Sequence, residues 1–150
     1  MMKSFYQKLI LLTIFGIAMG FFETVVVVYL RMIPATLEFY ILPLIPHFPS
    51  EFMLIEQFRE ISTIVMLGSL ALLVGKSWWE RLAVFLWIFA IWDLSYYVFL
   101  YFIIKWPSSI LTIDVVSLVP ITWYVPFISA IVVMIGFLMS SIYIFKKKCQ

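Results

Sequence analysis

Residues 82–104 read LAVFLWIFAIWDLSYYVFLYFII, and their length and composition decide the fold. The run carries one charge, Asp93. At about 1.5 Å rise per residue, a helix over this run crosses the roughly 30 Å of hydrocarbon in a bilayer. Three more runs of comparable length lie on either side, at residues 9–30, about 52–75 and about 126–145. Of the 150 residues, 65% are hydrophobic and 12% are charged, and the mean hydropathy is +1.14. A soluble domain carries about 25% charged residues, so lipid must solvate much of this chain. The reading is an all-α membrane protein: four transmembrane helices in an antiparallel bundle, forming a single integral membrane domain over residues 1–150.

The flanks orient the bundle. Lys3 and Lys8 precede the first run, but no Ala-x-Ala site follows it, so it reads as a retained helix rather than a signal peptide. With the N-terminus inside, Lys3, Lys8, Lys76, Arg81 and Lys146–Lys148 fall on the cytoplasmic side. Arg31 and Lys105 fall outside, with Arg59 near the outer end of the second helix. The positive-inside bias places both termini in the cytoplasm.

All seven prolines lie in or at the edges of the two outer connections, which are long and apolar ("FYILPLIP", "SLVPITWYVP"). Proline fixes φ and removes a donor, so these loops are stiff and partly nonhelical. Residues 110–125 are apolar enough for a short fifth span, but Asp114 and Pro120 favour a re-entrant or interfacial segment. The inner connection, "KSWWER", predicts a tight helical hairpin with Trp78 and Trp79 at the membrane interface. No repeat with a fixed period is present.

The intramembrane polar residues are the candidates for function. Glu23 shares a helical face with Gly16 and Gly20 of "GIAMG". Small residues let a second helix approach, which points Glu23 into the bundle. In "EQFREIST", Glu56 and Glu60 share a face, and Arg59 can pair with Glu56. A solvated first turn explains Glu56 as readily as a site does, and explains the deeper Glu60 less well. Asp93 leads a stripe of Tyr96, Tyr97 and Tyr101. A central aspartate costs about 2.5–3.5 kcal/mol on insertion scales and usually faces a bundle interior or a water-filled cavity. It is tolerable if it is neutral, or if it meets Arg59 or a tyrosine hydroxyl inside the bundle, either as a helix clamp or as part of a site. Asp114 lies in the loop above. These eight residues (Glu23, Glu56, Arg59, Glu60, Asp93, Tyr96, Tyr97 and Asp114) are the expected lining of a polar pocket open to the outer side.

The chain has no Walker loop, GxGxxG, HExxH or CxxC motif. Its one histidine, His47, lies in a loop, which argues against a catalytic triad and against Glu-x-x-His di-iron chemistry. No metal site is expected. The single Cys149 reads as a plain tail thiol in preference to a palmitoylation site. No catalytic residue or cofactor is specified, and the basic residues form no stripe for nucleic acid.

The stretches "FFETVVVVYLR", "EQFREISTIVML", "WDLSYYVFL" and "KWPSSILTIDVVSLVPITWYVP" resemble a family of small multi-pass bacterial membrane proteins with no assigned activity. The resemblance implies a bacterial inner-membrane location and no particular chemistry. Three functional classes follow. The first is a module that binds or transports a small molecule, lipid or cation. The second is an embedded enzyme acting on a lipid or isoprenoid with Asp93, Glu60 or Glu23 as acid or base, and the third is an accessory subunit. Membrane lipids are the expected partners in each case.

Overall fold

The computed structural model describes residues 2–32, 50–119 and 122–149. They form α1 (Met2–Met32), α2 (Ser50–Val74), α3 (Trp78–Ile104), a β-hairpin of β1 (Ile113–Ser117) and β2 (Trp123–Pro126), and α4 (Phe127–Cys149). Each helix contains a stretch long and apolar enough to cross a membrane: residues 6–32, 53–74, 78–104 and 127–147. The chain is a multi-pass membrane protein, and its exposed apolar helix faces meet lipid. The first of the two expected proline-rich loops, residues 33–49 with His47, lies outside the described residues.

The helices overrun the apolar stretches because local capping chemistry sets their ends. Helix α3 starts at Trp78, four residues before its greasy run. Ser77 caps it by accepting the Glu80 N–H at 3.3 Å, while the Glu80 carboxylate accepts the Lys76 N–H at 2.9 Å. This is a variant of the capping box, readable as S-x-x-E. Helix α3 ends at Lys105, which adopts a left-handed φ of 58° and donates its N–H to Tyr101 O at 2.9 Å.

The segment over 110–125 is neither a fifth span nor a plain loop. Its β-branched and aromatic residues pair as an antiparallel ribbon in which Asp114 faces Val125 and Val115 faces Tyr124, with an irregularity between Val115 and Ser117. The ribbon's base also caps α4. Phe127 and Ile128 donate their N–H groups to Thr112 O and Ile110 O at 2.8 and 3.0 Å, satisfying donors that a helix start leaves free.

Helix α3 is the hub, and α1, α2 and α4 each pack on it. Its contacts with α1 advance together along both chains, so α1 and α3 run parallel. Trp87 Nε1 donates to Thr13 Oγ1 at 3.0 Å, and Ser95 Oγ shares its proton between Trp92 O at 2.9 Å and Gly16 O at 3.3 Å. Thr24 Oγ1 does the same between Gly20 O at 2.8 Å and Tyr96 O at 3.1 Å. The close approach depends on Gly20, where a Cβ would lie 2.6 Å from Trp92 O and 2.9 Å from Tyr96 N. Helix α4 is pinned from the other side by Ser141 Oγ, which donates to Ala83 O at 2.7 Å. The apolar core, centred on Leu12, Leu67, Ala83, Ile88 and Phe145, fills the half of the bundle away from the hairpin. The hairpin half is not filled.

Candidate functional site

That unfilled half contains a cavity of about 410 Å³. Helix α3 forms its back wall, α2 and α4 form its sides, the hairpin roofs it, and Glu23 reaches in from α1. Seven of the eight candidate residues line it: Glu23, Glu56, Arg59, Glu60, Asp93, Tyr96 and Tyr97. Asp114 is not in the wall. It sits behind Tyr97, whose hydroxyl donates to Asp114 Oδ2 at 2.5 Å.

Arg59 organises the α1–α2 side. Its Nε and Nη2 donate to Glu56 Oε2 at 2.9 and 2.7 Å, and its Nη1 donates to Glu23 Oε1. The i,i+3 spacing of Glu56 and Arg59 makes the first pair, and the depth of Glu23 on α1 makes the second. Glu56 is 3% exposed, so the solvated-turn reading does not hold for it. One guanidinium therefore neutralises carboxylates from two helices.

Glu60 holds the roof. Its Oε1 accepts from Ser117 Oγ at 2.5 Å and its Oε2 accepts the Leu118 N–H at 2.8 Å. Gln57 Nε2 donates to Leu118 O at 3.1 Å. Two residues one turn apart on α2 thus fasten the end of β1. Gln57 and Ser117 were not foreseen, because their roles exist only once the hairpin folds back onto α2.

Asp93 meets neither of the partners considered for it. Arg59 pairs with Glu23 and Glu56, and Tyr97 donates to Asp114. Among the described residues Asp93 makes no hydrogen bond or ion pair, although it lines the cavity. Beside it on α3, the Trp92 Nε1 is buried with no hydrogen-bond partner among the described residues. The back wall is aromatic, with Phe89, Trp92, Tyr96 and Tyr97 on one face of α3, and Phe137 of α4 meets Phe89 at 5.8 Å between ring centres. That face was legible in the sequence as an i, i+3, i+4, i+7, i+8 series centred on Asp93, but only its polar members were singled out.

Outside the spanning helices, burial pushes the Asp114 carboxyl above its ordinary range. The Tyr97 hydroxyl, the Val115 N–H and the Arg31 guanidinium pull it back. Arg31 also lies over the Trp106 ring at 4.4 Å, and Trp106 stacks on Tyr97 at 6.3 Å. This network supports the back wall from behind.

Fold and cavity together define a small multi-pass membrane protein with a carboxylate-bearing, aromatic-walled cavity inside the span. No family model, curated protein or solved structure matches the chain, so no family is identified for it.

Proposed function

We propose that the protein is a binding module whose cavity takes a small organic cation, with Asp93 as the group that recognises its charge. The observation that carries this is the unpaired Asp93 carboxylate in the cavity wall. Such a group is costly within a span unless something meets it, and the Arg59 and Tyr97 donors are engaged elsewhere. Four carboxylates (Glu23, Glu56, Glu60 and Asp93) face one guanidinium, Arg59, around the cavity, so its charge balance favours a cation over an anion. Aromatic faces attract cations through their quadrupoles, and here they surround the carboxylate. The volume falls within the roughly 300–1,000 Å³ of small-ligand pockets.

The same reading orients the molecule. Lys8, Lys76, Arg81, Lys146 and Lys147 gather at the end opposite the hairpin. By the positive-inside rule that end faces the cytoplasm of a bacterial inner membrane, both termini lie inside, and the cavity sits toward the outer side.

The test is equilibrium binding to the full chain in lipid nanodiscs, read by the fluorescence of the cavity tryptophans. Benzyltrimethylammonium is expected to give a saturable response that benzenesulfonate does not. Equal responses to cation and anion, or none to either, would overturn the reading.

A further inference from the structure

The cavity's openings bear on where its ligand comes from. Its roof is fastened: Glu60 and Gln57 hold Ser117 and Leu118 down on α2, and Val115 and Val125 of the ribbon close over the space. Its side is not. Helices α2 and α4 each pack on α3, yet among the described residues they form no packed interface with each other. Residues of both line the same cavity. The rim on α2 is Ile64, 38% exposed, and the rim on α4 is Val133, 47% exposed. Both are apolar and lie within the stretches that span the membrane, so the cleft between them opens onto hydrocarbon.

Polarity is graded along the cavity. The charged residues Glu56, Arg59 and Glu60 lie toward the hairpin, while Ile64, Met134 and Phe137 lie toward the core half. From Glu56 to Ile64 the α2 wall rises about 12 Å at 1.5 Å per residue. A molecule that fits this gradient has a polar, positively charged end beneath the hairpin and an apolar end pointing into the bundle.

From this we infer that the ligand is a single-chain cationic amphiphile dissolved in the bilayer, which reaches Asp93 sideways through the α2–α4 cleft. The inference rests on the cation-binding reading above and adds the apolar chain and the membrane route. Its chemistry is that of an alkylamine or alkyl quaternary ammonium. The carboxylate and the aromatic faces recognise the head, and the Ile64–Val133 rim admits the chain.

The experiment is a chain-length series on the full protein in nanodiscs: tetramethylammonium, hexyltrimethylammonium and decyltrimethylammonium, with decyl phosphate as the anionic control. Affinities are corrected for partitioning into protein-free nanodiscs. The decyl compound is expected to bind at least tenfold more tightly than tetramethylammonium, and decyl phosphate is not expected to bind saturably. Val133→Trp, which fills the cleft, is expected to abolish the gain from the chain, so that the decyl compound binds this variant no more tightly than tetramethylammonium does. Ile64→Trp serves as a second blocking variant from the opposite rim should Val133→Trp fail to fold. Equal corrected affinities across the series, or full decyl binding in a folded cleft-blocking variant, would overturn the chain-binding role of the cleft, and with it the reason for a membrane route, while leaving the cation site standing. Saturable binding of decyl phosphate would overturn the cationic class. Failure of every cation, benzyltrimethylammonium included, would bring down the underlying reading as well.

Discussion

Helix α3 has two very different sides. Against α1 it forms a tight seam in which glycines admit its backbone and three hydrogen bonds cross between the helices. Toward α2 and α4 it presents Asp93 and a row of aromatic rings to open space. The seam is what a membrane protein needs to hold together, since lipid offers no hydrophobic drive for helices to associate and close packing must supply the attraction. The cleft does the opposite, leaving volume unfilled and a carboxylate unpaired. On the reading proposed above, this difference separates scaffold from site.

The largest expected effect comes from the ion pairs that hold α1 to α2 at the cleft's edge. Arg59→Leu leaves Glu23 and Glu56 facing each other without a cation. Breaking a buried pair from one side costs about 3–5 kcal/mol. The midpoint of unfolding in mild detergent should fall accordingly, and Arg59→Lys should recover part of it. An Arg59→Leu protein as stable as the wild type would show that this triad is not structural.

The seam can be broken more locally. Gly20→Ala puts a methyl against Trp92 O and Tyr96 N, backbone atoms that cannot rotate away. Overpacking of this kind costs about 1–3 kcal/mol. Gly136 on α4 has nothing within 4 Å of its Cβ position, so Gly136→Ala should stay within about 0.5 kcal/mol. Equal effects at the two glycines would remove the distinction between the seam and the rest of the bundle.

A smaller effect concerns the network behind the cleft. Because burial raises the Asp114 carboxyl above its ordinary value of 3.8, the fold favours its protonated form. That contribution is complete below the unfolded value and declines as pH rises through the raised folded value. Asp114 should therefore contribute a fall in stability with rising pH across that window, and Asp114→Asn should make the decline shallower. An Asp114→Asn slope identical to that of the wild type would contradict this assignment.

The sequence showed the parts of this comparison unevenly. The four spans were legible because a bilayer leaves only length and apolar content to satisfy. The glycine face of α1 was legible for a similar reason, since "GIAMG" and Glu23 share one side of a helix whatever they meet. The hairpin was not legible. Its strands, of five and four residues, are as apolar as a membrane segment, and periodicity over so short a stretch does not separate a ribbon from a loop. The partners of the charges were hidden as well. Whether Arg59 meets Glu23 or Asp93 depends on how α1, α2 and α3 are rotated about their axes, which no single helix encodes. Sequence reasoning left Asp93 either neutral or paired with Arg59 or a tyrosine hydroxyl, and among the described residues neither pairing is made.

The central claim is that Asp93 is there for a ligand and not for the fold. The measurement that tests it most directly compares thermal stability with benzyltrimethylammonium binding in Asp93→Asn, which keeps the side chain's shape and removes its charge. The carboxylate has no partner among the described residues to lose and is itself costly in the span, so stability should be no lower than that of the wild type while saturable binding of the cation disappears. A variant that binds the cation as the wild type does, or one that unfolds in step with its loss of binding, would contradict the claim.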